Sequence, residues 1–192
     1  MLEHNLHPVP LTIEGSAVLH QFFRFDWPIW NGLTDAERDS ALTEARLHFE
    51  QLETAGDGQS AFFTVYGHKG DLLFVHFRRD FDQLAQAQRS IDRLQLREFL
   101  EPTTSYVSVV ELGLYESTVK LYRSLAERGI EPHSDEWTST IEETLQRQRE
   151  AMASRLFPEI PPTKYLCFYP MDRKRSDGNN WYALPIEDRQ QP

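Results

Sequence analysis

Cysteine is nearly absent from this 192-residue chain: Cys167 is the single one. An intrachain disulfide and a thiolate metal cluster are therefore excluded, and the place of Cys167 in an alternating apolar run predicts a buried structural thiol. Long apolar runs are missing as well, since no stretch approaches the ~18 residues of a membrane span. The opening "MLEHNLHPVP" has neither the basic nor the apolar region of a leader, so the expected location is cytoplasmic. Cationic charge is also short. With 20 Lys and Arg against 30 Asp and Glu, the formal net charge is -10. That balance argues against nucleic acid or an anionic membrane as a partner, because both need a broad basic face. There is no glycine-rich phosphate loop, nucleophile elbow or zinc motif. His68 and His76 stand alone without metal-ligand spacing, and read as hydrogen-bonded or exposed side chains.

What the chain does have is core material: 40% hydrophobic and 12% aromatic residues. Residues 16–26, "SAVLHQFFRFD", read as a strand that ends in a turn at Trp27–Pro28. Thr34 and Glu37 form a capping-box pattern at the head of a helix that runs to Gly56. Two strands follow, 60–66 and 71–78, joined by "GHKG", whose glycines suit a tight hairpin. A helix over 80–99 stops short of Pro102, and 104–115, "TSYVSVVELGLY", is a fourth strand. Strand-helix-strand-strand-helix-strand is the ferredoxin-like order, an α+β fold with a four-stranded antiparallel sheet and both helices on one face.

Residues 1–115 are thus expected to form one domain. Two helices, about 117–127 and 134–153, make a charged connector over 116–161, with "PEIPP" at its end. A strand over 163–169 is expected to open a second, incomplete ferredoxin-like unit over 162–192.

One segment departs from the acidic background. From Arg155 to Arg175 there are five cations (Arg155, Lys164, Arg173, Lys174, Arg175) and two anions (Glu159, Asp172), a balance of +3. In a strand of period two, Tyr165, Cys167 and Tyr169 share one face, which Met171 and Arg173 join if the chain stays extended past Pro170. Pro170 cannot donate to a ladder and so marks an edge, where ligands are met. The residues alone leave two readings open: a ligand edge of phenol, thioether and guanidinium, or a packed Tyr and Met followed by a solvated basic turn.

Several stretches resemble the chlorite dismutase family, and its coproheme decarboxylase branch in particular. They are "FRFDWPIWNGL" at 23–33, "GHKGDLLF" at 67–74, "YVSVVEL" at 106–112, "RLFPEIPPTKYLCFYPMDRKR" at 155–175 and "NWYALP" at 180–185. The resemblance implies an enzyme that binds iron-coproporphyrin III and uses hydrogen peroxide to remove two propionate carboxyls, giving haem b. It assigns Tyr169 as the catalytic radical tyrosine, with Pro170, Met171 and Asp172 in the porphyrin-lining motif. Arg173 takes the place of the family's usual propionate-holding lysine, four residues after the tyrosine, and Arg155 matches a second propionate anchor. It also implies a homopentamer, and an iron-ligating histidine beyond Pro192, so that no metal ligand is expected within this chain. Two alternatives accompany this reading. One is a non-catalytic α+β binding module unable to ligate iron; the other is a chlorite dismutase or peroxidase-like relative.

Overall fold

The computed structural model describes residues 9–54, 56, 58–67, 69–176, 178–185 and 188. His68 and residues 1–8, 55, 57, 177, 186–187 and 189–192 lie outside that set. The chain divides into two compact units, one of residues 14–111 with 152–162, the other of residues 1–13, 112–151 and 163–192.

The larger unit is built on β1 (Thr12–Phe25), β2 (Gly58–Thr64), β3 (Leu72–Arg78) and β4 (Leu100–Gly113), in the order β2-β3-β1-β4. Both β1 and β2 run antiparallel to β3, which pairs Phe23 with Leu72, Leu19 with His76 and Phe62 with Phe74. Paired residues point to the same side of a sheet. One face therefore carries Leu19, Phe23, Phe62, Phe74 and His76. Helix α2 (Asp35–Glu53) brings Ala41 and Ala45 to this face, and α3 (Phe81–Ile91) brings Ile91. Together with Trp30, Leu96 and Phe99 they form one buried cluster around Phe23 and Phe74. Both helices thus cover the same face, as the ferredoxin-like order requires.

Local chemistry explains the boundaries. At α2 the Thr34 hydroxyl accepts from the Glu37 amide at 3.3 Å and the Glu37 carboxylate accepts from the Thr34 amide at 2.8 Å, so the capping box closes. The expected Trp27–Pro28 turn is instead a one-turn helix, α1 (Trp27–Asn31), because Asp26 caps the Ile29 amide at 3.1 Å and proline suits a first helical turn. The helix expected over 80–99 is interrupted. After Ile91 the chain re-forms as a 3-10 turn, Gln95–Phe99, whose Leu96 and Phe99 still reach the core. Apolar residues three apart satisfy either helix type, so the pattern alone does not reveal the break. Further along, α6 (Ala153–Leu156) buries Leu156 against β1, so closely that a Cβ on Gly15 would collide with the Leu156 carbonyl.

In the smaller unit, α4 (Tyr115–Glu127) and α5 (Asp135–Ala151) match the two expected helices. Gly129, at φ 72°, takes the left-handed turn that ends α4, and the Ile130 amide returns to the Leu125 carbonyl at 3.0 Å. Tyr122 stacks on Trp137 with centroids 5.0 Å apart, joining the two helices. Buried Thr118 accepts from the Leu11 amide at 2.9 Å while donating to the Leu114 carbonyl at 2.6 Å.

Candidate functional site

The basic C-terminal segment of the smaller unit does not form the strand expected over 163–169; those residues have no ladder. Pro161, Pro162 and Pro170 offer no amide, and among the described residues no strand lies alongside to receive the rest. The two-faced alternation consequently does not arise. Cys167 is exposed rather than a buried structural thiol. Tyr165, Tyr169 and Met171 are also exposed, at 73%, 65% and 82% of their surfaces, and so is Leu166 on the supposed opposite face.

Order returns a few residues after Tyr169. Strands β5 (Arg175–Ser176) and β6 (Asn179–Asn180) form a small antiparallel hairpin around Gly178, and the Trp181 amide extends it by donating to the Lys174 carbonyl at 3.1 Å. The Asn180 side chain then caps the Tyr182 amide at 3.1 Å, starting the 3-10 turn Trp181–Ala183. This turn folds two aromatic rings back over two cations. The Arg173 guanidinium lies 4.7 Å from the centre of the Trp181 indole, and that of Arg175 lies 4.4 Å from the centre of the Tyr182 ring. Both distances fall within the range of cation–π attraction.

Asp172 ties this arrangement together. Its Oδ1 accepts from the Arg173 amide at 2.8 Å and from the Tyr182 hydroxyl at 3.1 Å. Its Oδ2 lies 3.5 Å from Arg175 Nη2, which also donates to the Tyr182 oxygen at 3.4 Å. The Tyr182 hydroxyl first, and Asp172 second, raise the already high pKa of Arg175. The two arginines therefore differ. Arg175 is engaged by a carboxylate, whereas among the described residues no carboxylate lies within ion-pair distance of the Arg173 guanidinium.

The structure thus brings Asp172 and Arg173 together with Arg175, Trp181 and Tyr182. Tyr169, Pro170 and Met171 precede this cluster on exposed chain, and Arg155 sits exposed on α6, in the other compact unit. Sequence reasoning missed Arg175, Trp181 and Tyr182 as partners. The signal that finds them is the Asp177-Gly178 pair between two polar arms, a hairpin signature that places residues on either side of it face to face. Among the described residues no group of three or more His, Cys, Asp or Glu side chains could hold a bare metal ion.

A family model described as chlorite dismutase matches residues 38–192. A provisionally named heme-binding protein of Halobacterium salinarum is 37% identical over 183 residues, covering 94% of this chain and 34% of that protein. Another from Natronomonas pharaonis is 35% identical over 185 residues, covering 95% of this chain and 28% of its own length. The chain therefore spans about a third of the curated relatives it matches. Among solved structures, a heme-binding protein from Thermus thermophilus superposes with a TM-score of 0.70 at 31% identity, over 95% of this chain and 64% of that one.

Proposed function

The chain belongs to the chlorite dismutase family, and from that membership we propose that it supplies the tyrosine-bearing, propionate-holding edge of a peroxide-dependent coproheme decarboxylase. The substrate in this reading is iron-coproporphyrin III, the oxidant hydrogen peroxide and the product haem b. The observation that carries it is the run from Tyr169 to Arg173: an exposed phenol, then a guanidinium four residues on, pinned over an indole in the one strongly cationic stretch of an acidic chain. The relatives named as heme-binding support a porphyrin as the ligand.

The residues present fit the porphyrin's carboxylate arms. A guanidinium offers paired N–H donors that match a carboxylate and stays charged at any working pH. Arg173 presents such a group on exposed chain, and Arg155 is proposed as a second anchor. No side chain here is assigned to the iron.

The chemistry assigns each residue a task. When bound, the iron porphyrin passes on the oxidising power of peroxide. Tyr169 gives up its phenolic hydrogen and then takes a hydrogen atom from a propionate methylene. Loss of carbon dioxide and of a further electron leaves the vinyl group. Each propionate thus yields a vinyl, carbon dioxide, a proton and two electrons, and one hydrogen peroxide accepts those electrons with two protons to give two waters. Pro170 removes an amide at this edge, Met171 lines the porphyrin rim, and Arg173 holds the reacting carboxylate near the phenol.

In this reading residues 1–115 are the N-terminal ferredoxin-like domain, 116–161 the connector and 162–192 the opening of the porphyrin-binding domain, in a cytoplasmic homo-oligomer of the family's pentameric type. Among the described residues no helix is long and apolar enough to cross a membrane. Titrating the protein with iron-coproporphyrin III and following the Soret band tests the reading. A saturable red shift at micromolar porphyrin supports it, and an unchanged spectrum contradicts it.

A further inference from the structure

Three cations in a row, Arg173, Lys174 and Arg175, lead into the hairpin, and the structure distinguishes the two arginines. Arg175 is held by Asp172 and by the Tyr182 hydroxyl. The same Asp172 oxygen that accepts from Tyr182 also fixes the Arg173 backbone amide at 2.8 Å. The Arg175–Asp172–Tyr182 cluster therefore sets the direction in which the Arg173 side chain leaves the chain. The centre of the Trp181 indole then lies 4.7 Å from the guanidinium carbon, a cation–π distance. A guanidinium held beside a ring still has N–H groups directed away from it, and those donors are what a carboxylate needs.

We infer that Trp181 is a positioning residue for carboxylate recognition: its indole orients Arg173 so that this arginine, rather than Arg175, receives a porphyrin propionate, while Asp172 and Tyr182 withhold Arg175. The inference rests on the decarboxylase reading for its ligand, but not for its geometry. It also changes the part played by Asp172. An anion beside a tetra-anionic ligand is repulsive unless its charge is answered, and Arg175 answers it from within the hairpin. Asp172 then serves as the hub that separates the two arginines rather than as a ligand contact.

Metal-free coproporphyrin III is the probe, because it carries the four carboxylates without the iron chemistry, and its binding is read by fluorescence titration. Trp181→Leu is expected to weaken binding about threefold to tenfold, the range of an exposed to partly desolvated cation–π contact. Trp181→Phe, which keeps a ring, is expected to restore most of that loss. In an Arg173→Ala background, Trp181→Leu should cost nothing more, because the arginine it orients is gone. Arg175→Ala tests the other half, and should reduce affinity far less than Arg173→Ala. Circular dichroism on each variant checks that the hairpin change leaves the fold intact.

If Trp181→Leu weakens binding as much without Arg173 as with it, the indole acts by touching the porphyrin itself and the inference is overturned. If Arg175→Ala costs as much as Arg173→Ala, the distinction between the two arginines is wrong. Failure of the parent to bind metal-free coproporphyrin III overturns carboxylate recognition at this hairpin outright. Binding that follows the expected pattern, in a protein that leaves iron-coproporphyrin III unchanged under peroxide, upholds the inference and rejects the reaction instead.

Discussion

His76 Nδ1 lies 2.8 Å from the Ser60 hydroxyl, across the β2–β3 pair and within the covered face of the sheet. Arg78 Nη2 donates to the same hydroxyl at 3.0 Å. The hydroxyl can donate to Nδ1 or accept from it, and the tautomer decides whether a proton stands on Nε2. That nitrogen is buried without a hydrogen-bond partner among the described residues. Burial first, then the nearby Arg78 and His20, push the pKa of His76 down from 6.5 to about 3.

A depressed histidine makes stability depend on pH in a defined direction. Above pH 6.5 neither the folded nor the unfolded histidine holds the extra proton, and stability is at its full value. As pH falls from there toward 3, the unfolded chain takes up a proton that the native core refuses, so stability drops with a limiting slope of about 1.4 kcal/mol per pH unit. Burial also lowers His20 and His48, which add to the fall in the same direction. Urea melts between about pH 7.5 and 4.5, a window inside that fall, should show the decline, and His76→Gln should flatten it by close to one proton. An unchanged slope in the variant would assign the effect to other groups.

Gly15 is the second place where a small change has a large expected effect. The Leu156 carbonyl occupies the space that a side chain on Gly15 would need, and backbone carbonyls do not swing aside as a lysine tip does. Gly15→Ala should therefore destabilise the larger unit by about 1–3 kcal/mol, the cost of overpacking. Gly56→Ala is the control, since nothing lies within 4 Å of its would-be Cβ. Equal melting of both variants would contradict the close approach of α6 to β1.

At the start of α2, Thr34→Ala removes the hydroxyl that receives the Glu37 amide and leaves the carboxylate that answers it. A loss of about 1 kcal/mol is expected in thermal or chemical unfolding. The Glu37 pKa is lowered by its bonds to Thr34. The same substitution should therefore move that carboxyl back toward its ordinary value, readable by NMR titration.

Arg173→Lys keeps a cation at the propionate anchor but loses the planar group that lies on Trp181. It should bind coproporphyrin more tightly than Arg173→Ala and more weakly than the parent, with the parent-to-alanine gap about tenfold or more, as for a charge-assisted hydrogen bond. Fluorescence titration of the three proteins gives the order directly. A lysine variant that binds no better than alanine would show that charge alone does not hold the ligand.

These contacts were unevenly legible in the sequence. The Thr34–Glu37 box, the β2–β3 hairpin and the shared apolar face of α2 and α3 depend on neighbours a few residues apart, and residue spacing reveals them. The break between α3 and the 3-10 turn did not show, because Leu94, Leu96 and Phe99 face the core in either geometry. The strand expected at 163–169 failed for a different reason: alternation describes a strand only where another strand is there to pair with it, and this property belongs to the fold. Cys167 was misplaced with it. The expectation of Tyr169, Met171 and Arg173 as a ligand edge rests on motif order rather than on the strand. The approach of Arg173 to the Trp181 ring required the hairpin at Gly178, which brings together residues that the sequence separates by a turn.

The most direct test of the central claim is the fate of iron-coproporphyrin III when hydrogen peroxide is titrated into its complex with the protein, followed by mass spectrometry. The proposed chemistry predicts successive loss of two carboxyl groups, through a tripropionate to haem b, with one peroxide consumed per vinyl formed. It also predicts that Tyr169→Phe binds the substrate but slows the first loss by about a hundredfold or more, as when a residue that reacts directly is removed. Porphyrin recovered with all four propionates, or a Tyr169→Phe variant that decarboxylates as fast as the parent, would contradict the assignment.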